Sequence, residues 1–394
     1  MGISMVSPLL PVYAKDLGAT KFWLGLTFSS FAITQAIVGP FIGRWSDRYA
    51  RKPFIIGGLL IYMFAALGYL TADSFYQVIL FRAFSGLGTS AIFSVSRAYV
   101  GEMTPPGHEG RWLGVFTMGD VVGFATGPIV AGVIRQWIGF EAVFVAMAIM
   151  MALSAAIVLW WLPRKARPSK AHRREAARTQ TSFRQALRER IVIALCLQTA
   201  IQSLGFGASF SFLALRLEDD VGASPLMIGL AFASQDLTAG VGQPFFGWIA
   251  DHGNRRTLVT IGVAGNAVLL FAMGAVSAYA AFVLIMIGMG AVGALGNTSA
   301  GAIQVVAGRR VGMGTLLGLN STANGFGIVT GSVVGGLIAD RLGLSSAFYF
   351  AAAMMALGGA LFFALTAGVP VREDQYPIEP RPGRVEGDAL GAGP

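Results

Sequence analysis

The chain has 394 residues, 55% of them hydrophobic and only 12% charged, with a mean hydropathy of +0.65 and a formal charge of +9. A soluble chain carries about twice that charged share, so the composition excludes a soluble globular enzyme and points to an all-α polytopic membrane protein. A single cysteine, Cys196, permits no internal disulfide and no cysteine-built metal site.

A spanning helix needs about 20 apolar residues. In chain order, such runs fall at 22–43, 54–72, 76–97, 112–134, 141–162, 191–214, 225–248, 257–276, 279–305, 315–338 and 346–368. Residues 1–14 read as the end of a twelfth span rather than a signal peptide, because Ile3–Ala14 is too short to cross and no basic segment precedes it. The ten-residue alternation of a β-barrel is absent. We therefore number the 22–43 run as the second span.

The basic residues give an orientation. Ten of the 29 Lys and Arg lie in the link 163–190, and the loops on the same side carry Arg44, Arg48, Arg51, Lys52, Arg97, Arg111, Arg255, Arg256, Arg309 and Arg310. Only Lys15, Lys21, Arg135, Arg216 and Arg341 fall on the opposite side. The link and the C-terminus are thus expected to be cytoplasmic. The link reads as a solvated, lipid-facing linker. Its basic run 164–178 has no interleaved Phe, Trp or Tyr, so nucleic acid is not an expected partner. The Pro/Gly-rich stretch 369–394 reads as a disordered cytoplasmic tail.

The chain repeats itself at a shift of 204 residues. Nine positions from Gly25 to Asp47 match their counterparts in 229–252, and ten from Leu113 to Phe144 match theirs in 317–348. The expected organisation is two pseudo-symmetric six-helix halves, 1–162 and 191–368, joined by the linker 163–190. Parallel halves with a central site are a secondary-transporter plan. In this register Met1 pairs with Gly205, so the first span is expected to lack about 14 residues at its start.

Three patterns carry chemistry. After the second span the sequence reads Gly43-Arg44-Trp45-Ser46-Asp47-Arg48-Tyr49-Ala50-Arg51-Lys52, and its twin reads Gly247-Trp248-Ile249-Ala250-Asp251-His252-Gly253-Asn254-Arg255-Arg256. This loop, with Gly43 for close helix approach and Asp47 opposite Arg51, Arg97 or the start of the eleventh span, resembles the G-x-x-x-D-R-x-G-R-R/K loop of the major facilitator superfamily. Ala50 and His252 depart from that pattern. Gly114, Gly123, Gly127-Pro128 and Ala131-Gly132 on the fifth span resemble the antiporter motif of the same superfamily, with Ala131 in place of a glycine. Arg82-Ala83-Phe84-Ser85-Gly86 on the fourth resembles its R-x-x-Q-G motif, with Ser85 for Gln.

The resemblance covers 1–368 and is strongest to the twelve-span drug:proton antiporters. It implies a monomeric secondary transporter in a bacterial inner or plasma membrane, without enzymatic activity. Its partners would be the lipid bilayer, protons and a small-molecule substrate exported by alternating access. Asp47, Arg48, Arg51, Arg97, Asp251 and Arg255 would form the gate, and Arg82 would serve proton coupling. Two carboxylates inside spans, Asp120 and Asp236, are candidate proton carriers, because a carboxyl group out of water holds a proton more readily. Asp120 is favoured for its place within the antiporter motif. Thr34, Gln35, Gln198, Gln202, Phe206, Asn320 and Asn324 are candidate cavity residues suited to an amphipathic organic solute. No Walker loop, catalytic triad or metal cluster is present in the sequence, so no cofactor is expected and ATP is not the energy source. A proton-coupled sugar or metabolite exporter, and a non-transporting sensor on the same scaffold, remain as alternatives.

Overall fold

The computed structural model describes residues 1–104, 109–163 and 183–368. Most of the basic linker and the whole 369–394 tail lie outside them, as do the side chains of Arg44, Asp47, Arg48 and Arg309. Residues 1–16 form two short helices, α1 (Gly2–Val6) and α2 (Leu10–Asp16). Pro8 lies in the turn between them and Pro11 in the first turn of α2, where the missing N–H interrupts a continuous helix. Five long helices follow: α3 (Lys21–Arg48), α4 (Arg51–Leu70), α5 (Phe75–Met103), α6 (Glu109–Trp137) and α7 (Phe140–Trp161). After the short α8 (Phe183–Ala186) come six more: α9 (Arg190–Asp219), α10 (Pro225–His252), α11 (Arg255–Ala275), α12 (Tyr279–Val311), α13 (Met313–Leu342) and α14 (Leu344–Leu365).

The eleven long helices coincide with the eleven expected spans. Ten are both long and apolar enough to cross a bilayer; the exception is α10. That helix carries Gln235, Asp236, Thr238 and Gln243, polar residues that an all-round lipid-facing helix would not tolerate. Several helices outrun the expected spans at the basic end, as α3, α5 and α12 do, because their last turns are charged and reach into the interface.

Within the first half α3 packs on α5 and α4 on α5 and α7; within the second α9 packs on α13 and α14, and α10 on α12. The halves meet along two seams, α6 on α10 and α3 on α13. Both are built on glycine, and both obey the 204-residue repeat. A Cβ on Gly25 of α3 would collide with the carbonyl of Ser332 on α13; one on Gly229 of α10 would collide with that of Pro128 on α6. Gly132 of α6 lies against Pro225, with a Cβ 2.5 Å from its carbonyl, and Gly336 of α13 lies against Lys21 at 2.7 Å. Each of these four contacts maps onto another when 204 is added. In hydrocarbon, helices associate by close packing rather than by water exclusion, and only glycine permits this approach.

The seams hold only one end of the molecule. They continue to Ala36–Gly325 and Val121–Gly240 at mid-helix. Beyond, toward the end bearing Arg51, Lys52, Arg255 and Arg256, nothing lies within 4 Å of a Cβ built on Gly39, Gly43 or Gly119. We call this the basic end and the closed one the far end.

Each half is clamped at the basic end by a repeated contact. Lys52 is buried, and its ammonium donates to the carbonyls of Leu159 (2.6 Å) and Leu162 (2.7 Å) at the end of α7. Its counterpart Arg256 donates to the carbonyl of Phe363 on α14 at 2.5 Å and stacks on that ring at 3.7 Å. Carbonyls ending a helix have no partner within it, and a cation there also meets the negative end of the dipole. We predict that Lys52→Met lowers stability by about 1–3 kcal/mol through the unpaired carbonyls. Thermal unfolding of the purified protein checks this; an unchanged unfolding temperature contradicts it.

Candidate functional site

Between the halves lies a cavity of about 1120 Å³, open toward the basic end. Of the candidate substrate residues, Gln35, Gln198, Gln202, Phe206 and Asn324 line it. Thr34 and Asn320 do not. The Thr34 hydroxyl donates to the Ser30 carbonyl and its Cβ packs against Gly86 of α5. Asn320 is buried beside Thr199 on α9, its amide nitrogen without a partner. Phe28 (α3), Phe206 and Phe210 (α9) and Phe232 (α10) form an aromatic chain closing the cavity toward the far end, with centroid separations of 6.2, 4.4 and 4.8 Å along it.

Arg82 lines the same cavity and is 1% exposed. One guanidinium nitrogen donates to the Ser7 hydroxyl in the turn between α1 and α2 at 3.1 Å, and the ring of Phe31 lies 4.5 Å from its centre. Nε and Nη1 have no hydrogen-bond partner, and no carboxylate pairs with Arg82 among the described residues. The proline-broken first helix therefore presents a hydroxyl to the buried cation.

The two candidate carboxylates differ. Asp120 on α6 is 3.8 Å from Arg97 on α5, a cation already engaged within its own half. Asp236 on α10 faces the cavity, half-buried, with no ion pair or hydrogen bond among the described residues. Sequence position alone favoured Asp120; the packing leaves Asp236 as the unpaired acid.

The motif residues divide in the same way. Gly123 and Gly127 receive the first helix: a Cβ on Gly127 would strike the Ser4 hydroxyl, which donates to the Gly123 carbonyl at 2.9 Å. Gly132 and Pro128 receive α10, as described above. Gly114 belongs to the first turns of α6. Gly43 is a correction: it was expected at a close approach, yet it faces open space because the halves stand apart at this end. The expected loop is also shorter. Helix α3 runs through Arg48 and α4 starts at Arg51, leaving Tyr49–Ala50 as the link. Ala50 has φ −68°, which needs no glycine and accounts for its departure from the pattern. Arg51 donates to Ser46 at 3.4 Å, and its counterpart Arg255 donates to the carbonyl of Ala250 at 3.4 Å and lies 3.8 Å from Asp251.

A set of polar contacts between the halves, at the far end, has no sequence motif. Arg135 on α6 grips Glu218 on α9 with two bonds of 2.8 Å and lies over the ring of Phe140. Lys15 on α2 pairs with Asp219. Asp340 on α13 caps the start of α3 in the other half, accepting from the backbone of Lys21 (2.9 Å) and Phe22 (3.0 Å) and from the Thr20 hydroxyl (3.1 Å). Arg216, one of the five basic residues assigned to this side, is 5% exposed and donates to the carbonyls of Gly274 and Val276 and to Ser345 within its own half. Beside these contacts, burial raises the pKa of Asp16, and Glu218 raises it further, against Arg135 and Lys15.

Two helical halves surround a central cavity sealed at one end and open at the other, an arrangement suited to a membrane transporter. The sequence pattern of the Major Facilitator Superfamily matches residues 1–215 and again 195–387, and the chain belongs to that family. It is 27% identical over 370 residues to the multidrug resistance protein MdtG of Proteus mirabilis, covering 90% of this chain and 89% of that one. It is 25% identical over 347 residues to the quinolone resistance protein NorA of Staphylococcus aureus, covering 86% and 87%. In fold it is similar to a bacterial homolog of the human lysosomal transporter Spinster in its inward-facing, unoccupied conformation, with a TM-score of 0.76, 17% identity and 93% of both chains covered.

We predict that Glu218→Lys opens the far end and that adding Arg135→Glu closes it again. Loss of the bidentate pair removes about 1.5–3 kcal/mol per charged hydrogen bond, enough to shift the ratio of states by about tenfold or more. Spin labels at Asp73 and Ser277 in a Cys196→Ser background report it: the distance should lengthen in the single variant and recover in the double. An unchanged distance in Glu218→Lys removes the pair from the gate.

Proposed function

We propose that this transporter exports small amphipathic organic solutes from the cytoplasm in exchange for protons. On this reading the basic end faces the cytoplasm, the halves are 1–162 and 191–368, and the described conformation is the inward-open one that loads cargo. The observation that carries the proposal is Asp236: an unpaired carboxylate on the wall of a cavity closed by inter-half contacts at the opposite end. A carboxyl group there meets protons and cargo in the same space, so one occupant can displace the other. Asp236 takes the carrier role that the antiporter motif alone would give to Asp120, whose charge Arg97 already balances. The resistance-named relatives, MdtG and NorA, support a drug-like cargo.

Arg82 contributes as a fixed cation held by Ser7. One hydroxyl contact joins the first helix to this cation on α5, Phe31 of α3 covers it, and Tyr62 and Tyr69 of α4 interact with it. Rearrangement of that turn would change the field at the cavity without moving the cation through the membrane.

The test is flux in proteoliposomes under an imposed pH gradient, with ethidium or tetraphenylphosphonium as cargo. Wild type should concentrate cargo against its gradient. Asp236→Asn should lose uphill movement by about a hundredfold or more while retaining downhill counterflow, which needs no net proton transfer. Asp120→Asn should retain uphill movement at a reduced rate. Uphill transport surviving in Asp236→Asn would displace Asp236 from the mechanism.

A further inference from the structure

The cavity wall is chemically lopsided. Gln198 and Gln202 of α9, Gln235 and Gln243 of α10, and Asn297 and Gln304 of α12 all line it, and all come from the second half. None of the six side-chain amides makes a hydrogen bond to another described group. Asn324, by contrast, is spent on the Ser203 hydroxyl at 2.7 Å. A carboxamide offers two donors and an acceptor oxygen on one rigid plane. Six of them on one wall form a surface that both gives and accepts hydrogen bonds without bearing charge.

Charge is scarce by comparison. Arg82 is sealed under Phe31 with one nitrogen on Ser7, Arg97 is engaged by Asp120, and Asp236 stands alone. At the closed end the chain of four Phe rings provides an apolar seat. An apolar cargo resting against the amide wall would strip water from donors and acceptors and leave them unmet, which is unfavourable for each. A cargo with hydroxyl groups would replace those waters bond for bond. Hydroxyls, like amides, both donate and accept.

We propose that the cargo is a neutral amphiphile with a polyhydroxyl head: an aryl or alkyl glycoside, its apolar part seated against Phe206, Phe210 and Phe232 and its sugar against the amides of α9, α10 and α12. The proposal rests on the transport reading above and narrows its substrate class. The head is neutral, so cargo and proton compete for the space beside Asp236 rather than for its charge.

The probe is 4-methylumbelliferyl β-D-glucopyranoside, with its aglycone 4-methylumbelliferone and tetraphenylphosphonium as comparators. Binding is measured by equilibrium dialysis on the full-length protein in lipid nanodiscs, prepared without a maltoside or glucoside detergent, since these belong to the proposed class. The glucoside should bind at least about tenfold more tightly than the aglycone, the equivalent of one retained hydrogen bond. Gln202→Leu and, independently, Gln304→Leu should reduce that ratio at least threefold, with an unchanged thermal unfolding temperature showing that the variants fold. Equal binding of glucoside and aglycone, or binding of tetraphenylphosphonium alone, overturns the proposal, as does an unaltered ratio in both variants. Proton-driven movement of tetraphenylphosphonium without sugar discrimination would refute this inference and leave the transport reading standing. Sugar-selective binding without proton-driven flux would do the reverse.

Discussion

Backbone contact at four glycines is the constraint on which this structure depends. Gly25, Gly132, Gly229 and Gly336 bring helices of opposite halves so close that no Cβ fits between them. Everything polar at the far end presupposes that approach. Asp340 can cap α3 only because Gly336, four residues earlier on the same helix face, lets α13 lie against Lys21. Arg135 reaches Glu218 from a helix positioned by Gly132. The polar latch thus sits at the end of an apolar seam. The seam determines where the halves touch; the charges bias how long they stay there.

The repeat also organises the contacts within each half. Lys52 on Leu159 and Arg256 on Phe363 are the same contact displaced by 204 residues, as are Arg51 to Ser46 and Arg255 to Ala250. Each binds elements of one half to each other, which favours motion of each half as a body. The symmetry breaks at the helix starts. Ser224 caps α10 from within, its hydroxyl accepting from the backbone of Met227 at 3.3 Å. Thr20, its equivalent, instead donates to Asp340, leaving the start of α3 to be capped from the other half. Only the α3–α13 seam therefore loses helix-capping bonds when it opens.

Hydropathy made the spans legible, because bilayer thickness and backbone satisfaction leave helices few alternatives. Helix ends were less so: the charged last turns of α3 and α5 do not look apolar yet remain helical. The motif glycines were legible as close-packing residues, but not which helix each receives. Gly123 and Gly127 take the first helix, Gly132 takes α10, and Gly43 takes none in this conformation. That Arg97 reaches Asp120, while Asp236 has no ion pair among the described residues, was not legible either. The far-end contacts were invisible for a related reason. Lys15, Arg135, Glu218, Asp219 and Asp340 are ordinary charged residues near helix ends, and nothing local shows that they face one another across the halves. A search for acids and bases at seam-lining helix ends, using the repeat to decide which helices meet, could have found them.

Alternating access requires two states within a few kcal/mol of one another. The state described here gains the far-end seams, the Arg135–Glu218 pair and the cap on α3. A competing state must replace them with contacts of similar worth elsewhere, and the basic end has the means. Gly39 and Gly43, four residues apart and so on one face of α3, meet nothing in this conformation, nor does Gly119 on α6. Phe41 and its repeat equivalent Phe245 are 49% and 62% exposed there. Glycine in an exposed helix weakens it by roughly 1 kcal/mol relative to alanine, so three unused approach points are a burden in the present state. They become useful when α3 and α6 close upon the other half. On this argument the superfamily loop beginning at Gly43 does its packing in the conformation opposite to the one in which Gly25, on the same helix, does its own.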